Sequence, residues 1–144
     1  MTANIVSIVK LQEYIFQKVY DSGLTKKLKL YNQIPKNSPM PYAYLGNFTS
    51  EFSAAIGLKI ICMQQKIFIY SRGDNQEIMH FAERLSKEIE CQGVAYEDIN
   101  IKHIIFDSMS FDVMRDGKTF ETILNFKIKL EVIKNVRNEI TNIA

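Results

Sequence analysis

The chain has 144 residues, 47% of them hydrophobic and 24% charged, which suits one domain with a sizeable core. Its net charge of +2 is too small for the domain-wide basic excess expected of a nucleic-acid binder. The two cysteines, Cys62 and Cys91, can form neither a disulfide framework nor a zinc site; they read as small, buried or half-buried side chains in a reducing compartment.

The first residues lack the charged start, apolar block and cleavage site of a secretory signal. No apolar run approaches the ~18 residues of a membrane span. Both point to the cytoplasm, where the sequon Asn47-Phe48-Thr49 carries no meaning. Residues 3–22 then read as a helix, with Ile5, Ile8, Val9, Ile15, Phe16, Val19 and Tyr20 on one face and Lys10, Gln17, Lys18 and Asp21 on the other. Gly23 ends it, as glycine does at a helix C′ position. A basic patch at Lys26, Lys27 and Lys29 reads as a solvated turn.

Leu30–Ile34 is a short strand closed by Pro35, and the prolines at 35, 39 and 41 require an extended surface connection. Strands follow at about 42–52 and 58–70, the second with weak breaks at Gln64 and Gln65. Tyr42, Tyr44, Phe48 and Phe52 have even spacing and are expected on one face, packed in the core or exposed at an interface. Between the strands, residues 53–57 form a small-residue link.

A second helix runs from Asn75 to about Gln92. Asp74 and Glu77 resemble a capping box, Ile78, Phe81, Ala82, Leu85 and Ile89 form the buried stripe, and Gly93 is the stop. Ile101 to Ile133 then reads as two long strands hinged at Asp116-Gly117, a pair suited to a type I′ turn. In the second arm Leu124, Phe126, Ile128, Leu130 and Val132 alternate with Asn125, Lys127, Lys129 and Glu131. The expected fold is α+β: a mostly antiparallel sheet of about five strands with both helices on one face, in the order α-β-β-β-α-β-β. Residues 1–133 form the domain and 134–144 a polar C-terminal tail.

Catalytic, metal and cofactor-binding residues are not apparent. Gly117-Lys118-Thr119 ends like a phosphate-binding loop, but Asp112 stands where that loop needs glycine, and Thr119 opens a strand instead of a helix. Asp107 and Asp112 point to opposite faces of a regular strand while Asp116 sits in the turn, so the three do not converge. His80 faces outward and His103 has no partner at ligand spacing. Ser108 and Ser110 lack a nucleophile-elbow context.

The ordered landmarks resemble the tail terminator (tail-completion) proteins of long-tailed phages and gene transfer agents. They are Tyr31 and Pro35; Pro39-Met40-Pro41-Tyr42 leading into Ala43-Tyr44-Leu45; Phe68-Ile69-Tyr70-Ser71-Arg72; the helix Glu77–Ile89; Phe111 to Thr119; and the strand holding Phe126. The similarity spans about Leu11 to Glu131. It departs at Lys26–Lys29, which replace a glycine-rich turn, at Tyr70, which replaces a tryptophan, and beyond Val132.

The resemblance implies a homo-oligomeric ring, commonly hexameric, that caps the tail tube, stops its polymerisation and joins it to the head connector. The implied partners are other copies of the chain, the tail tube protein and the head-completion protein. DNA would meet the ring only while passing its channel, and no membrane or cofactor is involved. The implied location is the host cytoplasm during assembly and the phage-like particle afterwards. Interface candidates are Phe48, Phe52 and Arg72, with Arg115, Asp116 and Gly117 at the hairpin tip. Residues 49–59 would order against a neighbour. Two other readings stand beside this one. A nucleic-acid-binding module would use Lys127, Lys129 and the Lys26–Lys29 patch on an open sheet face; a small enzyme would need a pocket of convergent polar groups.

Overall fold

The computed structural model describes residues 2–55, 58–73 and 75–132. The expected cap at Asp74, the end of the 53–57 link and the 134–144 tail lie outside the described residues. The elements are α1 (Thr2–Asp21), a short 3-10 turn (Leu24–Lys26), β1 (Lys29–Tyr31), β2 (Tyr42–Ala55), β3 (Leu58–Ser71), α2 (Asn75–Ile89), β4 (Cys91–Tyr96), β5 (Ile99–Val113) and β6 (Phe120–Val132). They form an α+β fold in which both helices cover one face of a six-stranded mixed sheet, ordered β1-β2-β3-β6-β5-β4. Among the described residues only β1 and β2 pair in parallel; every other neighbouring pair is antiparallel.

The expected helices are present. Gly23 ends α1 with a left-handed φ of 80°, and its N–H reaches the Tyr20 carbonyl. The buried stripe of α1 is Ile8, Leu11, Tyr14, Ile15 and Val19, whereas Ile5, Val9 and Tyr20, expected inside, are exposed. At about 100° per residue, Val9 and Tyr20 fall roughly 120–140° from Ile15, too far around to reach the sheet. In α2 the expected stripe is buried and Lys87 meets Glu83 at 2.9 Å. This helix stops at Ile89, three residues earlier than expected, because Cys91 already begins β4, whose Val94 and Tyr96 pack against the core. Gly93, with φ 65°, therefore lies inside a strand and is not a helix stop.

The core forms where β3, β6 and β5 turn alternate residues toward the helices: Ile61, Ile67 and Ile69; Leu124, Phe126, Ile128 and Leu130; Ile99, Ile101 and Ile104. Register shifts reset the alternation three times, once in β2 and twice in β5, the first of these between Ile101 and His103. In β2 the register shifts between Leu45 and Phe48, so Tyr42 and Tyr44 face away from the helices while Phe48 and Phe52 lie opposite buried Gln65 and Ile61. The four aromatics do not share a face. In β5 a shift between Phe106 and Ser108 brings the Asp107 carboxylate to 3.4 Å from Lys127, on the outer face where Asp112 lies opposite Glu121. The expectation that Asp107 and Asp112 diverge assumed an unbulged strand.

Residues 49–55, expected to be partly loose, are paired along β3. Cys91 is half-buried, but Cys62 is exposed on the outer face, against expectation.

Candidate assembly surface

The two outer strands cover only part of the sheet edges. Strand β1 pairs with Tyr42–Tyr44 of β2, and β4 pairs with the Ile99–Ile104 part of β5. Among the described residues, no strand pairs with the outer edge of β2 beyond Tyr44 or of β5 beyond Ile104. The register places these open stretches at diagonally opposite corners of one sheet.

Both open edges carry apolar side chains. Phe48 and Phe52 are 41% and 51% exposed on β2; on β5, Met109, Phe111 and Val113 are 45%, 37% and 47% exposed. Met109, Phe111 and Val113 lie opposite Leu124, Thr122 and Phe120, hence on the helix side of the sheet, as are Phe48 and Phe52. Their exposure shows that the helices leave both apolar rows open to solvent. Open strand edges of this kind template pairing with another chain.

Two carboxylates guard the β5 edge. The Phe106 amide donates to Glu90 at 3.2 Å, and the Val113 amide donates to the neighbouring Asp112 carboxylate at 2.8 Å. Met114 donates its N–H inward to Thr119, so the alternating ladder turns the backbone polar groups of Met109, Phe111 and Val113 outward.

The hairpin joining β5 to β6 is present but its turn is not type I′. Gly117 N–H bonds the Met114 carbonyl and only Gly117 has positive φ, 69°, so Arg115 and Asp116 form the centre of the turn. Asp116 accepts hydrogen bonds from the amides of Lys118 (2.9 Å) and Thr119 (2.8 Å) and from the Thr119 hydroxyl (2.6 Å). These donors, the hydroxyl foremost, hold its carboxyl down at about 2. Arg72 at the end of β3 donates to the Thr119 hydroxyl at 3.2 Å and sits 3.6 Å from Asp116. Of the sequence-derived interface residues, Arg72, Arg115, Asp116 and Gly117 thus gather at one tip, and Phe48 and Phe52 lie at the far corner.

The outer sheet face carries a ring cluster of Tyr31, Tyr42, Tyr44, Phe68 and Tyr70, with neighbouring centroids 5.6–6.4 Å apart. Tyr70 donates its hydroxyl to Glu121 at 2.9 Å, and burial with that acceptor raises its phenol to about 12. The lysines of this face are interleaved with acids: Lys127 meets Asp107, and Lys102 meets Glu131 at 2.7 Å. A depression of about 410 Å³ beside them mixes Glu51, Cys62, Gln64, His103, Lys127 and Lys129. Lys27 lies on the other side of the sheet, beside His80 and Arg84 of α2. The basic residues expected to share one open face are therefore divided between two faces. Among the described residues no three His, Cys, Asp or Glu side chains are grouped to hold a metal ion, and no helix is long and apolar enough to cross a membrane.

Two features escaped sequence reasoning. Gln65, read as a break, is fully buried and staples the β2 bulge through the Gly46 carbonyl; its inward parity among isoleucines was the available signal. Lys10, placed on the outward face of α1, clasps the β4–β5 turn through Glu97 (3.0 Å) and Asp98 (2.8 Å), a contact without a local signal.

No protein-family model matches the chain, and no curated protein matches it. Among similar solved structures is a chain from the virion of a native gene transfer agent (GTA) particle. The similarity covers 81% of the present chain and 91% of that one, with a TM-score of 0.70 and 12% sequence identity. At that identity the two chains share a fold.

Proposed function

We propose that this chain is a structural component of a phage-like virion that works by self-assembly, not by catalysis. The observation that carries this reading is the fold shared, over nearly the whole of both chains, with a chain of a gene transfer agent particle. The open apolar edges at Phe48/Phe52 and Met109/Phe111/Val113 support it, since a particle component needs surfaces for its neighbours.

Within that class, the ordered landmarks from Tyr31 to Phe126 favour a tail terminator. Copies of the chain, most simply six, would close into a ring on the finished tail tube, stop its growth and receive the head-completion protein. A heterologous contact repeated by a closing rotation gives such a ring. The hairpin tip with Arg72, Arg115 and Asp116, held stiff by its hydrogen bonds, suits contact with the tube or the connector. DNA would traverse the channel without being gripped, in keeping with lysines neutralised by Asp107 and Glu131.

The test is tube growth. Tail tube protein from the same assembly system, polymerised with the chain, should give tubes of limited length bearing a ring at one end in electron micrographs. Tubes equally long with and without the chain, and bare at both ends, would refute the terminator role.

A further inference from the structure

We propose that the two open edges are the two halves of one interface: the 106–113 edge of β5 in one copy pairs antiparallel with the 48–55 edge of β2 in the next, extending the sheet between subunits. The proposal rests on the self-assembly reading and specifies its contact.

Direction comes first. Strands β2 and β5 run antiparallel within the sheet, so neighbouring copies presented in the same orientation meet β5 to β2 in antiparallel fashion with their helix layers on the same side. The apolar rows then coincide. Met109, Phe111 and Val113 meet Phe52, Ser50 and Phe48, all on the helix side of their sheets. Small Ser50 falls opposite Phe111, which leaves room for the existing stack of Phe111 on Phe120 at 5.3 Å.

The extents match as well. With Phe48 opposite Val113, Ala55 comes opposite Phe106, where the cover of β4 begins; β1 of the neighbour ends beside the hairpin tip. Charge selects this register. Asp112 faces Thr49 and Glu51 faces Ser110, whereas sliding by one two-residue step would set Glu51 against Asp112. The guarding carboxylates of Glu90 and Asp112 occupy the first and last amides of the same stretch, which discourages indiscriminate strand addition and leaves the middle open. Because the open stretches lie at diagonal corners, each copy is displaced along the strands by roughly 20 Å at ~3.3 Å per residue. Closure then needs strands inclined to the ring axis, as in staggered barrels.

Glu51 and Ser110 would be directly opposed across this contact, which makes it testable by disulfide trapping. The full chain carrying Glu51→Cys and Ser110→Cys is oxidised in a Cys62→Ser background, because Cys62 is the intramolecular neighbour of Glu51. Non-reducing gels and native mass spectrometry should show a ladder of covalent multimers ending at the ring. Neither variant with just one of the two introduced cysteines should give it, and adding Met109→Lys should abolish it with an unchanged circular dichroism spectrum and melting temperature. Oligomers that form without intersubunit cross-links would overturn the edge pairing and leave the self-assembly reading intact. A chain that stays monomeric and uncross-linked at millimolar concentration and on tail tubes would overturn both.

Discussion

The Gln65 side-chain amide donates to the Gly46 carbonyl at 2.9 Å, from a position with no exposure to solvent. The same nitrogen reaches the Lys66 carbonyl at 3.0 Å, and the Gln65 oxygen accepts from Gln12 of α1 at 3.2 Å. One buried amide therefore ties the first helix to the bulge that turns Phe48 and Phe52 toward the helix side. Without that bulge, the aromatic row of β2 would lie on the opposite face.

Gln65→Leu should accordingly cost about 1–3 kcal/mol, because buried carbonyls lose their donor while the apolar replacement fits the volume. Urea unfolding checks it: the midpoint should drop. An unchanged midpoint would mean that water replaces the amide and the bulge does not depend on it.

Gly46 lies under the Phe68 ring, where an added Cβ would overlap the ring edge. Gly46→Ala should destabilise by about 1–3 kcal/mol through overpacking. Phe68→Leu in the same chain should recover part of the loss in a double-mutant cycle. Strict additivity of the two changes would remove the clash as the cause.

At the hairpin tip the folded carboxyl of Asp116 ionises at about 2, below an ordinary aspartate near 3.9. A depressed folded value means that the stabilisation is present above about pH 4 and is lost as pH falls through 2. The Asp116 carboxyl carbon, followed by NMR, should titrate near 2. Asp116→Ala should speed amide exchange at Lys118 and Thr119 at neutral pH, with little change in the sheet core.

Lys10, bonded by Asp98 and Glu97, has its ammonium raised to about 12. Here the sign reverses: the contribution is complete below the unfolded value near 10.4 and disappears as pH rises through 12. Across neutral pH it is constant. Lys10→Met should therefore loosen the Glu97–Asp98 turn equally at pH 6 and pH 9, seen as faster local amide exchange. A loss of protection, relative to the intrinsic exchange rate, that differs between these two pH values would contradict the assignment.

With Lys127 and Lys102 already paired, oligonucleotide binding should be weak and its logarithmic salt slope no steeper than about −2. A slope near −6 would restore a nucleic-acid-binding role.

Much of the architecture was legible from residue order. The stripe of α2, the alternation from Leu124 to Val132 and the Gly23 stop are local patterns, and each is present. The hairpin at Asp116-Gly117 was legible as a bend, though its type was not, because the choice depended on donors from Thr119 and Arg72. Strand β4 was missed because six residues after a helix, interrupted by Gly93, carry no alternation of their own. Of the interface candidates, Phe48 and Phe52 stand out by their chemistry; the matching row at Met109, Phe111 and Val113 does not, since its exposure depends on where β4 stops.

By itself the amino-acid order determined both helices and the long strands, because periodicity and turn chemistry act within a few residues. Only the tertiary structure decided which face each aromatic occupies and which backbone edges stay unpaired. A bulge reverses every side chain beyond it, and an edge is open or closed according to where the short strands β1 and β4 stop pairing along it.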